Sequence, residues 1–139
     1  MNRSITRFAL CLIAFLVGAI VALASEPPNR SVKQIDFYSL TAKTQLKLYT
    51  ESQIIALEII RPAEGRAIAR LSADGKSFGD PQEFILLGAT KGQQQGSLSL
   101  VEMGVIRTGQ KLELGLSNLQ ASNRLHTLQI NRIEISEYR

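Results

Sequence analysis

From Ile35 onward the chain alternates apolar and polar positions with a period of two, the pattern of strands that bury one face. Gln45–Thr50 (QLKLYT) sets Leu46 and Leu48 on one face and Lys47 and Tyr49 on the other. Lys111–Leu116 (KLELGL) does so most cleanly, with Leu112, Leu114 and Leu116 inward and Lys111 and Glu113 outward. Gly115 on that outward face signals a bulge or a close backbone approach. Ile54–Ile60 (IIALEII) is nearly continuous and β-branched at both ends, which fits a central strand covered on both faces. Ile35–Leu40, Arg66–Leu71, Glu83–Leu87 and Ser97–Met103 complete the shorter runs. In Thr127–Tyr138, Leu128 and Ile130 keep one phase while Ile133 and Ile135 keep the opposite one. That slip predicts a bulge or kink at Asn131-Arg132. About eight strands at turn spacings of this kind predict an all-β fold, an antiparallel β-sandwich.

Turn chemistry punctuates the runs. Pro62-Ala63-Glu64-Gly65 predicts a turn after the central strand, and Gly109 another before Lys111. Within Arg70–Phe84, Asp74-Gly75 is the pair favoured in two-residue hairpins, and the spacing predicts a tight turn there with Phe78 plugged into the core. Gly88–Gly96 (GATKGQQQG) carries three glycines and reads as a flexible loop or hairpin tip. Ser117–Arg124 (SNLQASNR) reads as a second polar loop.

The first residues change the domain count. Arg3 and Arg7 precede seventeen uncharged residues, Phe8–Ala24, which end in Ala22-Leu23-Ala24. That layout predicts a secretory signal peptide over 1–24, or an uncleaved anchor helix if it is retained. A proline-containing tether over 25–33 and a single sandwich domain over 34–139 follow. The expected location is secreted or periplasmic, or single-pass and membrane-anchored with the domain outside the cytoplasm. The membrane is met only through residues 8–24, if they stay. Removing 1–24 lowers Lys+Arg from 16 to 14 against 12 acidic residues, a net charge of +2 in place of +4. Charges of that mixed, weakly basic kind predict no nucleic-acid partner. Asn29-Arg30-Ser31 also fits a glycosylation sequon.

The missing residue types restrict the chemistry further. The single cysteine, Cys11, lies in the leader, and the rest of the chain holds one histidine, His126. Zinc, copper or iron sites built from several imidazoles or thiolates are excluded. No phosphate-binding loop, dinucleotide fingerprint or nucleophile elbow occurs. The expectation is no catalytic residue, no cofactor-binding residue and no enzyme activity. Asp74 and Asp80 flank one turn, so calcium is the one cation left open, with backbone carbonyls completing an oxygen shell. The same two carboxylates are the only candidates for a minor hydrolase site. Tyr38 and Tyr49 are the aromatics expected at the surface, and there is no tryptophan for sugar stacking.

The segment Ala67–Phe78 (AIARLSADGKSF) resembles the strand-turn-strand of galactose-binding-like jelly rolls of the discoidin and coagulation-factor type. The closing run Leu128–Tyr138 (LQINRIEISEY) is similar to the final strand of such domains. The resemblance implies a jelly-roll-like sandwich. It implies no ligand: Phe78 stands where tryptophan is common, the disulfide that joins the domain ends is absent, and no sugar-binding triad is found.

The function this supports is an exported, non-enzymatic module that binds a protein or glycan partner at the cell envelope. The alternatives are a membrane-anchored structural subunit of a periplasmic assembly and the minor hydrolase. Because loops on a rigid scaffold carry most binding, the candidate ligand residues are Lys91, Gln93, Gln94 and Gln95 in the first loop and Asn118, Gln120, Asn123 and Arg124 in the second.

Overall fold

A computed structural model of the chain describes residues 28–96 and 98–137. The leader over 1–24 and its cleavage point lie outside the described residues, as does Tyr138. The fold is all-β and antiparallel. Its strands are β1 (Arg30–Val32), β2 (Gln34–Asp36), β3 (Gln45–Tyr49), β4 (Ile54–Arg61), β5 (Arg66–Ser72) and β6 (Gln82–Gln95). They continue with β7 (Leu98–Met103), β8 (Val105–Arg107), β9 (Lys111–Leu116), β10 (Arg124–His126) and β11 (Arg132–Ser136).

One large sheet runs β1-β11-β3-β4-β5-β6-β9-β10, with β7 paired to the far half of β6. β2 and β8 form a separate pair. The large sheet curls over its own inner face because its flanks are tied together. The chain between β10 and β11 leaves β9 and arrives at β3. Thr127 N–H donates to Leu112 O (2.9 Å), Ile130 N–H to Gln110 O (2.9 Å), and Asn131 N–H to Tyr49 O (2.7 Å). The result is sandwich-like, with one core between the curled halves and the β2–β8 pair set against it.

Alternation puts the core where the pattern requires it. Leu46 and Leu48, Ile55, Leu57 and Ile59, Leu112 and Leu114, and Ile133 and Ile135 are all buried in one cluster. Ile35 and Phe37 from the β2 side and Ile106 from β8 join them. The phase slip in Thr127–Tyr138 marks a strand boundary and not a bulge: residues 127–131 lie outside any strand, Leu128 is exposed, and β11 begins only at Arg132. Ile130 and Ile133 are both fully buried, with exposed Asn131 and Arg132 between them, because the chain changes partner strand there. Pro62–Glu64 forms a 3-10 turn closed by Gly65 at φ +66°, as the turn residues demand.

Three further expectations are corrected. First, Asp74-Gly75 is not a two-residue hairpin: β5 ends at Ser72, β6 starts at Gln82, and a nine-residue loop lies between. A type I′ turn needs positive φ at both central residues. Only Gly75 has it, at +76°. The Asp74 side chain makes its own turn instead, with Oδ1 accepting from Lys76 N–H (2.8 Å), Ser77 N–H (2.9 Å) and the Ser72 hydroxyl (3.1 Å). Second, Phe78 is half-buried and lies outside the core cluster. Third, Gly88–Gly96 is no loop: through Gln95 it is strand, the second half of β6. Strand pairing also starts earlier than expected, at Arg30 inside the supposed tether, and β8 and β10 add to the eight expected strands.

The three donors aimed at Asp74, those of Ser77, Lys76 and Ser72 in that order of weight, hold its carboxyl below the usual range. A depressed folded pKa stabilises above the unfolded value, and that contribution is lost as pH falls through the carboxylate range. Asp74→Asn should therefore flatten part of the loss of stability between neutral and acid pH. Urea unfolding of both chains from pH 7 downward tests this. Parallel stability curves would reject the role of Asp74.

Candidate functional site

The eight candidate ligand residues divide into two groups. Lys91, Gln93, Gln94 and Gln95 stand on the end of β6, which runs beyond the sheet as a two-stranded ribbon with β7. The pairing of β6 with β9 stops at Thr90–Lys111, while that with β7 continues to Gln95–Leu98. Two glycines let this happen. Gly88 has no side chain where the Glu102 backbone crosses: a Cβ there would lie 2.7 Å from the Glu102 carbonyl carbon and 2.9 Å from Met103 Cα. Gly92, at φ +80°, sits in the register shift between Thr90 and Gln94. All four polar side chains are exposed, and none bonds elsewhere in the described chain.

The base of the ribbon is fixed. Arg107 donates from both terminal nitrogens to the Glu102 carboxylate and from Nε to Gln34 Oε1 (3.0 Å), so β8 joins β7 to β2. The bonds from Arg107 hold the Glu102 carboxyl below its ordinary range. Above this clamp, Leu100 and Met103 of β7 are 49% and 62% exposed. Neither was singled out as a contact residue from the sequence. The available signal was that apolar residues fall on both faces of SLSLVEM.

The second group is spent inside the fold. Asn118 Oδ1 accepts from Gln120 N–H (2.9 Å) and from Asn123 Nδ2 (2.7 Å). Arg124 Nε donates to Leu119 O (2.7 Å), and its Nη1 lies 3.8 Å from the Glu113 carboxylate. The loop folds down over the outer face of β9, where Gly115 leaves room for the Asn118 carbonyl. Glu113 is on the outward face that alternation assigns to it, yet only 3% exposed. Of this group Gln120 alone keeps its side chain outside that internal network.

The other candidate residues stand apart from one another, and Asp80 is exposed. Asp74 Oδ1 is taken up by its own turn, and among the described residues no three of His, Cys, Asp and Glu gather to hold a metal ion. His126 is exposed on β10, in register with Glu113 of β9. Tyr49 is half-buried. Its hydroxyl donates to Glu134 Oε2 (2.9 Å), and the Arg132 guanidinium lies 3.8 Å above its ring. Burial, and then the bond and charge of Glu134, push the Tyr49 hydroxyl pKa up. Tyr38 is 40% exposed, with its ring packed against Phe37 and over Gly104.

Comparison with protein-family models, with characterised proteins and with solved structures finds no match to this chain.

Proposed function

We propose that this chain is an exported, non-enzymatic module that binds a protein partner at the cell envelope through the β6–β7 ribbon. The observation that carries this reading is the ribbon's free surface. Lys91, Gln93, Gln94 and Gln95 offer unspent hydrogen-bonding groups on a ribbon that exposes Leu100 on one face and Met103 on the other, on a base held by Arg107. Polar groups around exposed apolar side chains are the composition of a protein contact. A glycan partner is less well supported, because Arg132 covers one face of the Tyr49 ring and sugar stacking needs an open aromatic face.

The test is capture from envelope extracts by the immobilised full chain, with a glycan array run in parallel. Replacing Lys91 by Glu and Gln93, Gln94 and Gln95 by Ala together should lower capture at least about tenfold, the loss of some 1.4 kcal/mol. Gln120→Ala should leave it unchanged. Silence in both assays, or equal capture by the ribbon variant, rejects the reading. The mass of the purified chain decides its location: a terminus at Ser25 is expected, and an intact leader would establish the anchored form.

A further inference from the structure

We infer that the outer edge of β7 pairs with β7 of a second copy, making a two-fold dimer. This deepens the reading of the ribbon as a contact surface and assigns an occupant to one of its edges. Among the described residues the backbone of β7 pairs with β6 alone. Leu100 O accepts from Thr90 Oγ1 of β6 (2.9 Å), and Gly104 N–H donates to Leu87 O of β6 (3.0 Å). Backbone groups alternate sides along a strand. Leu100 and Glu102 therefore turn theirs toward β6, and Ser99, Val101 and Met103 turn theirs outward, where no described residue bonds them.

This edge lacks the usual protections. Exposed edges are blunted by shortness, by charge or by proline. The terminal strands β1 and β10 are three residues long, and each carries an arginine. β7 has six residues and no proline, and its one charge, Glu102, is neutralised by Arg107 of the same chain.

A second copy fits this edge. An axis through Val101, perpendicular to the sheet, sets Val101 opposite itself, Ser99 opposite Met103, and Leu100 opposite Glu102. The outward N–H and C=O groups of all three outward residues then find partners. No like charges face each other. Val101 and Met103 of both copies share one face. A shift by one residue would bring the β6-facing groups to the axis, and only shifts by two keep face and hydrogen bonding together. β6 lies on the other edge of β7, so the Gln93–Gln95 stretch is left outside the pairing.

The experiment is light scattering of the purified full chain during size exclusion, joined to a crosslink. The native chain is expected at twice the monomer mass. Val101→Lys, which sets two ammonium groups face to face, should return it to a monomer that keeps the native β-sheet circular dichroism spectrum and unfolds cooperatively. Should the first variant misfold, a Ser99→Lys and Met103→Lys double variant sets an ammonium group opposite an ammonium group at both ends of the pairing. In a Cys11→Ser background, Val101→Cys should form a disulfide-linked dimer on mild oxidation. Directly opposed Cα atoms of an antiparallel pair lie about 4.5–5.5 Å apart, within disulfide reach. Leu71→Cys, 51% exposed on β5, should remain uncrosslinked. A monomeric native chain, or equal crosslinking at both positions, overturns the dimer. If the native chain is monomeric while the Lys91 and glutamine replacements still abolish capture, self-pairing fails and the contact-surface reading stands. Dimerisation with unaltered capture leaves the pairing and removes that reading.

Discussion

Gly88→Ala should cost about 3 kcal/mol, the upper end of overpacking penalties, with the damage concentrated in β7. Gly88 faces Met103 of β7 on one side and Glu113 of β9 on the other. The added methyl would fall onto the Glu102 carbonyl oxygen and lie 2.9 Å from Met103 Cα. These are backbone atoms, which cannot swing away as a side-chain tip can. Rotating β6 instead would disturb Leu86 and Ala89, both buried on its inner face. The cheaper response is for β7 to move. Hydrogen exchange should show loss of protection over residues 98–103 well beyond any change in β3 or β4, and urea unfolding gives the total. Since β7 also supplies the proposed dimer edge, self-association should fall with it. Native stability with native exchange would mean that the crossing is looser than its geometry says.

How much of this was legible in the sequence depended on how far away each segment finds its partner. β9 and β3 could be read residue by residue, because one buried face imposes alternation whatever strand lies beside it. The turn at Pro62–Gly65 was legible because fixed φ and positive φ are local properties. The second half of β6 was not. Its glycines and glutamines carry no apolar pattern, and it is a strand because β7 and β9 pair with it. β1 was hidden for the same reason: three residues pair with Ile133–Ile135, a hundred positions on, across the length of the domain. The candidate contact residues followed the same rule. Composition alone grouped Lys91 with Arg124. Folding left the first on a projecting ribbon and tied the second, still exposed, to the Leu119 carbonyl and the Glu113 carboxylate. Glu113 itself was assigned the correct face. Its burial depends on a loop that crosses that face, which a period of two cannot report.

Phe37→Ala should produce the largest single loss of stability, about 3–5 kcal/mol. Phe37 is fully buried and is the largest side chain in the core. The sequence offers little hint of this, since Phe37 and Phe78 look equally suited to plug a sheet. Their backbones decide between them. Asp36 Oδ1 accepts from Tyr38 N–H (3.0 Å) and starts a 3-10 turn at Phe37, whose own N–H donates to Gly104 O (2.9 Å). That fixes the ring inside, with its Cε2 3.3 Å from the point a Cβ on Gly65 would occupy and the Tyr38 ring 4.7 Å away, centroid to centroid. β2, the 4-residue β4–β5 turn and the β7–β8 junction therefore meet around Phe37, the last two through its ring and its backbone N–H respectively. Removing it leaves a cavity that these three fixed backbones cannot collapse into, which places the cost high in the known range. Phe78 is half-buried on a loop held by side-chain hydrogen bonds. Phe78→Ala should cost only about 1 kcal/mol, the typical effect of a substitution outside the core. Urea unfolding of the two variants measures the contrast directly. Equal losses would return Phe78 to the core and remove the 3-10 turn from its place at the centre of the fold.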